Sequence, residues 1–114
     1  MFLTLKKIDL FAFRFTYIHG QCVEVGVGGF LAHGGYNALG TTARYGLGVQ
    51  SVLRLQAVLA DGSIAWVDPH ESVIKRPNGA TEVVPNNGDL DLFFALRGAG
   101  SSFAVITEFL YRVR

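Results

Sequence analysis

Residues 22–48 read CVEVGVGGFLAHGGYNALGTTARYGLG, and the rest of the chain is read outward from this stretch. Nine of the 14 glycines lie between Gly20 and Gly48, and the single cysteine, Cys22, heads the run. Glycine lets backbone approach backbone, or backbone approach a ligand, where a Cβ would collide. The residues between the glycines are apolar and make poor linker material. The run therefore reads as a packed wall made thin. A thin apolar wall beside one thiol suits a large flat cofactor.

At 114 residues the chain can form one small domain or part of a larger one. Half of its residues are hydrophobic, only 17% are charged, and the mean hydropathy is +0.34. That is a heavy apolar load, because a small domain has proportionally more surface to keep wet. No stretch approaches the ~18 uninterrupted apolar residues of a spanning helix. A piece whose covering surface lies elsewhere is the better reading, and no membrane partner is inferred. The formal charge of +1 and the lack of a long basic run give nucleic-acid binding no support. One cysteine excludes an internal disulfide, and His19, His33 and His70 lack metal-ligand spacing, so no metal site is assigned. The N-terminus, MFLTLKKIDLFAFRFTYI, opens like a signal peptide. Asp9 and Arg14 interrupt it and no small-residue cleavage site follows, so it is not read as one, and the compartment is left unassigned.

The alternation of Phe11, Phe13 and Phe15 within residues 2–18 predicts a short strand. One helical turn fits between Tyr36 and Tyr45. From Val52 to Leu59 the pattern alternates again, with Leu53, Leu55, Ala57 and Leu59 on one face and Arg54 and Gln56 on the other. Asp61-Gly62 has the chemistry of a tight hairpin turn, and Ser63–Val67 is its returning strand. Residues 68–88 are polar and broken by Pro77, Gly79, Pro85 and Asn86-Asn87-Gly88, which predicts an exposed loop. A helix is expected to begin near Asp89 and stop at Gly98, with Leu92, Phe93 and Leu96 on its apolar side. In the final segment Phe103, Val105, Phe109, Tyr111 and Val113 are expected to share one face. The fold class is α+β: antiparallel strands packed with helices.

Generic nucleotide motifs fail here. Gly26, Gly28 and Gly29 partly mimic G-x-G-x-x-G, but position 31 is leucine, and no acidic residue lies about 20 positions on. No Gly-Lys-Ser/Thr occurs either. The specific likeness is to a family. The run from Cys22 to Phe30, then His33-Gly34-Gly35-Tyr36 and Arg44-Tyr45-Gly46-Leu47-Gly48, resembles flavoproteins with the FAD-binding fold of vanillyl-alcohol oxidase and p-cresol methylhydroxylase (the PCMH type). Val58-Leu59-Ala60-Asp61-Gly62, Asp91–Gly100 and Phe103–Phe109 follow in the same order. The berberine-bridge and oligosaccharide-oxidase branch is the nearest subgroup. The resemblance covers residues 20–114 and leaves residues 1–19 unmatched. It implies the second half of a FAD-binding domain, whose first half would supply the pyrophosphate loop and whose substrate would come through a further domain.

The resemblance also assigns residues. Cys22 matches the cysteine that links to the flavin in bicovalent members, where a thiolate is the required nucleophile. Read without the family, a lone cysteine is more often a small buried hydrophobe. Val25 matches a position that gates oxygen, where a small residue accompanies oxidase rather than dehydrogenase behaviour. Its plain alternative is an ordinary packed valine. Gly26, Gly28 and Gly29 match the loop lying against the flavin and its diphosphate, where bare amides donate to phosphate oxygens. Ala32 and Tyr36 match positions along the same wall, and Ile106 one whose backbone touches the adenine. Turn formation or core packing is the alternative for all of these. His33, among glycines and apolar residues, reads as structural. Asn37 stands where relatives often carry another glycine, and Phe30 where the plant branch has histidine. The cofactor implied is FAD, with a possible covalent link through Cys22. The function implied is a FAD-linked oxidoreductase passing electrons from an alcohol or sugar-like substrate to oxygen. No catalytic residue is assigned. The competing reading is a non-catalytic remnant or binding module that keeps the fold without holding FAD.

Overall fold

The computed structural model describes residues 2–4, 18–86 and 91–114. Its centre is a six-stranded antiparallel sheet in the order β1-β6-β2-β3-β4-β5. The strands are β1 (Phe2–Thr4), β2 (Val52–Val58), β3 (Ile64–Val67), β4 (Glu71–Lys75), β5 (Thr81–Pro85) and β6 (Val105–Arg112). Strands β2 to β5 form a meander. After helix α3 (Leu92–Ala99), β6 returns beside β2, and β1 adds to its far side. Two short helices, α1 (Val27–Ala32) and α2 (Thr41–Tyr45), come from the glycine-rich stretch. The α+β expectation agrees with this architecture. The alternation expected at Phe11–Phe15 lies outside the described residues.

The β2–β3 hairpin forms as its turn chemistry dictates. Gly62 adopts φ +81°, and the Ser63 amide donates to Asp61 Oδ1 at 2.9 Å. That amide, more than the neighbouring Arg76 guanidinium, holds the Asp61 carboxyl below its ordinary pKa. Arg76 bridges Asp61 at 2.8 Å and Glu82 at 2.6 Å, tying two hairpin turns together at the surface.

Residues 68–88 are not the loop that their polarity predicts. They contain β4 and β5: Pro77 and Gly79 fall in the turn between the two strands, Pro85 is the last residue of β5, and Asn87-Gly88 lies outside the described residues. Asp68 Oδ1 accepts from the amides of His70 and Glu71 at 2.8 and 3.0 Å. Gly79 takes φ +87° and its amide donates to the Arg76 carbonyl at 2.9 Å. Strand β5 is exposed along its whole length, as an edge strand can be, so its composition carries no burial pattern to read.

Helix α3 starts one turn later than Asp89, a position outside the described residues. Asp91 is the cap, its Oδ1 accepting from the Phe94 amide at 2.8 Å. Phe93 and Leu96 are buried as expected. They join Leu31, Val52, Leu55, Ala57, Ala65, Val67, Ile74 and Tyr111 in the core between the helices and one sheet face.

Two slips in register correct the expected strand faces. Gln56 pairs with Glu108 but Ala57 pairs with Ile106, which leaves Thr107 as an extra residue. Such a bulge exchanges the faces. Ile106 therefore packs on the core, while Val105 and Phe103 are exposed. A second slip, between Val52 and Arg54, places Val52 rather than Leu53 fully inside.

Tyr111 closes the core at the end of β6. Its hydroxyl accepts from the Ile18 amide at 3.0 Å and donates to the Ile18 carbonyl at 2.8 Å, fixing where the chain enters the glycine stretch. Both groups are buried, so Tyr111→Phe leaves a donor and an acceptor unpaired. Urea unfolding is expected to show a loss of about 1–3 kcal/mol with an unchanged m-value. A loss under ~0.5 kcal/mol would show that this tether contributes little.

Candidate functional site

The thin wall expected from the glycines is a crossing of two backbones. The Gly48 amide donates to the Gly35 carbonyl at 2.8 Å, and the Val49 amide to the Gly34 carbonyl at 3.0 Å. A Cβ on Gly35 would lie 2.9 Å from the Gly48 Cα, and Gly35 also sits at φ +76°. Neither demand can be met by an L side chain. The Phe30 ring packs over this crossing, 2.9 Å from the place a Gly35 Cβ would take. Phe30 thus has a packing reason of its own. Arg97 secures the far side: its Nε donates to the Val49 carbonyl at 2.9 Å, while its guanidinium lies 4.8 Å from the Phe93 ring centre.

Before the crossing, the chain runs along the surface. The Val25 amide donates to the Cys22 carbonyl at 3.1 Å, so Cys22 and Val25 share one turn. Cys22 is exposed in this structure. Residues 21–29 are all exposed. Val25 is 43% exposed and packs back on Gly20, where a Cβ would collide with its side chain.

Gly26 is the N-cap of α1, and its carbonyl takes the first helical bond, from the Phe30 amide at 3.0 Å. The amides of Val27, Gly28 and Gly29 stand in the helix's first turn, where no intrahelical acceptor exists. Gly26, Gly28 and Gly29 have no positive φ, and a Cβ on any of them would meet nothing within 4 Å among the described residues. The described residues give no reason for glycine at these three positions. That contrasts with Gly35, Gly46 and Gly48, where backbone angle or contact demands it.

The structure brings one distant residue to this wall. A Cβ on Gly100 would lie 2.8 Å from Ile106 Cδ1 and 3.2 Å from Ala32 Cβ, so Gly100 is the hub where α1 meets the start of β6. Ala32 is buried in that contact rather than open. Tyr36 is 68% exposed, on the surface side of the crossing. Three partners not foreseen as site residues hold the arrangement. Asn37, 2% exposed, donates from Nδ2 to the His19 carbonyl at 2.7 Å and accepts the Leu39 amide on Oδ1 at 2.8 Å. Its own amide donates to Thr42 Oγ1 at 2.7 Å. His33 Nδ1 lies 3.0 Å from the Gly29 carbonyl, and His33 Nε2 lies 3.0 Å from Ser101 Oγ. The sequence clues to these locks are the departure of Asn37 from glycine and the structural reading of His33; Ser101 carried none.

The remaining electrostatics are sparse. Arg44 and Arg114 lie 5.2 and 5.4 Å from the Tyr45 ring centre, near the C-terminus of α2. Among the described residues, no group of three or more His, Cys, Asp or Glu is placed to hold a metal ion, and no helix is long and apolar enough to cross a membrane.

Comparison with known proteins gives three informative relatives. The chain is 36% identical over 91 residues to a FAD-linked oxidoreductase of Metarhizium anisopliae, covering 80% of this chain and 14% of that protein. It is 33% identical over 97 residues to the xylooligosaccharide oxidase of Thermothelomyces thermophilus, covering 85% and 16%. It is 37% identical over 91 residues to the glucooligosaccharide oxidase of Sarocladium strictum, covering 80% and 14%. The match thus spans about a seventh of the length of these relatives. No protein-family model matches the chain. No solved structure matches it significantly.

Proposed function

The chain is homologous to a segment of the FAD-linked oxidoreductases, and from that premise we propose that it forms one side of a FAD site, as the second half of a PCMH-type FAD-binding domain. The observation that carries this reading is the set of glycines without an internal cause. Gly26, Gly28 and Gly29 are exposed, have ordinary backbone angles, and touch nothing among the described residues that a Cβ would displace. Glycine there keeps free a surface that something outside the chain approaches closely. The residues present fit FAD in that role. A flat ring needs an apolar wall, which Val25, Val27 and Tyr36 provide with their exposed side chains. A diphosphate needs donors, and the first-turn amides of α1 are available.

Each residue then has a distinct task. Cys22 presents a thiol at the edge of the wall, in the same turn as Val25. Val25 limits what small molecule can reach the ring beside it. The Gly35–Gly48 crossing keeps the wall thin and rigid. Ala32 and Ile106, joined through Gly100, fix the distance between the diphosphate side and the adenine side. Bound FAD would supply two-electron chemistry, taking hydride from an alcohol or sugar-like substrate and passing the electrons to oxygen. None of the chain's own side chains is given a proton-transfer role, and the substrate contacts belong to a part of the protein outside this chain.

The test is a graft. Residues 20–114 are to replace the matching stretch of the Thermothelomyces thermophilus xylooligosaccharide oxidase. A yellow, folded product with a flavin absorption band is expected. The chain alone should bind FAD at least ~100-fold more weakly, since it provides one side of the diphosphate grip. A folded but colourless graft would overturn the FAD reading and leave a binding module that has lost the cofactor.

A further inference from the structure

Among the described residues, the core helices cover one face of the sheet. Leu31 of α1 and Phe93 and Leu96 of α3 pack on the face that carries Leu55, Ala65 and Ile74. Successive residues of a strand point to opposite faces, so Val58, Ile64, Trp66, Val73, Val83 and Val105 lie on the other one. The ladder sets them side by side. Val105, Val58 and Ile64 form one row, and Trp66, Val73 and Val83 form the next. Ile64, Val83 and Val105 are exposed, while Val58, Trp66 and Val73 are half-buried. A contiguous apolar face of this kind is a surface for another polypeptide. We propose that its occupant is a second copy of this chain, packed sheet on sheet about a two-fold axis that runs along β3. The proposal stands apart from the FAD reading and needs no flavin.

The charges on this face select that occupant and that axis. A two-fold along β3 keeps each row and reverses the strand order, so β2 lies over β4 of the second copy and β6 over its β5. Ile64 and Trp66 of β3 then meet their own counterparts at the centre of two aligned sheets. Leu55 and Ser72 both pair with Val67. The residues just before them, Arg54 and Glu71, therefore share a third row, two strands apart and on the open face. The axis lays each Arg54 opposite Glu71 of the second copy, and symmetry makes the contact twice. Lys75 shares the first row with Val58, and Glu108 pairs with Gln56 in the second. Lys75 thus comes diagonal to Glu108 of the second copy, within reach of a long side chain. Among the described residues both ion pairs engage Arg76, so none of these four charges is paired there within one chain. Asp68, near the axis, is turned aside, its Oδ1 accepting the His70 and Glu71 amides in the β3–β4 turn. A contact of one face with itself closes at two copies.

The test is sedimentation velocity on the 114-residue chain, run from about 1 to about 100 µM. A monomer–dimer equilibrium is expected. Trp66 is the chain's single tryptophan, and its emission should shift to the blue as the dimer forms. Arg54→Glu and Glu71→Arg each set like charges opposite one another at two places and should weaken the dimer at least ~10-fold. An equimolar mixture of the two variants should form a heterodimer about as tight as the wild-type dimer, because both contacts then join opposite charges. The double variant should self-associate for the same reason. Recovery in the mixture also shows that neither variant has lost its fold. A wild-type chain that stays monomeric at about 100 µM would overturn the proposal and leave the face to some other polypeptide. A dimer without a Trp66 shift, or one indifferent to both charge reversals, would overturn it in favour of another contact such as the β5 edge. A mixture that stays monomeric, or association that does not stop at two copies, would overturn it as well.

Discussion

Gly28→Val in the grafted oxidase is expected to leave the fold intact and to weaken FAD binding by about 10- to 100-fold. The two halves of that statement have separate causes. A Cβ on Gly28 meets nothing within 4 Å among the described residues, and the residue lies inside α1 without a positive φ. Valine is also a slightly better helix former than glycine, so the stability of the polypeptide should hold or rise by a few tenths of a kcal/mol. A ligand pressed against that backbone meets three new methyl or methine carbons instead of open space. Forcing side-chain bulk into a closely packed contact costs about 1–3 kcal/mol, which is one to two decades of affinity. Fluorescence titration with FAD, alongside an unfolding curve for each protein, separates the two. Unchanged affinity would show that the glycine surface faces solvent in the working protein. A collapse of stability would show that Gly28 serves the fold after all.

Cys22→Ala should abolish a covalent link between this segment and flavin. After acid precipitation of the grafted oxidase, a flavin-bearing peptide containing Cys22 is expected, and the alanine variant should lack it entirely. The argument has a positional part and a structural part. Cys22 heads the glycine wall, four positions before Gly26, and its thiol is exposed rather than packed into the core. A thiol exposed on that surface would be placed to attack the ring of a bound flavin. The new Sγ–carbon bond would replace a ring C–H, and the thiol and ring hydrogens would leave as protons. The two electrons would pass through the flavin to oxygen, giving hydrogen peroxide. Peptide mass mapping decides the matter. A wild-type digest in which flavin is never found on the Cys22 peptide would remove the covalent role and leave the non-covalent site untouched.

What the sequence determined by itself is what short-range chemistry controls. Asp61-Gly62 specified the β2–β3 hairpin because its turn needs a positive φ and a side-chain acceptor within two residues. Leu92, Phe93 and Leu96 marked the helix side that meets the core. The glycine run announced a close backbone approach, and homology to FAD-linked oxidoreductases could be read from the order of its motifs. The tertiary structure decided everything that depends on a partner strand or a distant contact. The bulge at Thr107 put Ile106 inside and Val105 outside, a choice made by pairing with β2 and invisible in the alternation of β6 alone. Strands β4 and β5 were hidden because an edge hairpin exposed along β5 carries no burial pattern. The glycines, alike in sequence, separated into two kinds only in three dimensions. Gly35 and Gly48 serve a backbone crossing, whereas Gly26, Gly28 and Gly29 face open space among the described residues, because only folded neighbours define which Cβ positions are occupied and which are kept empty.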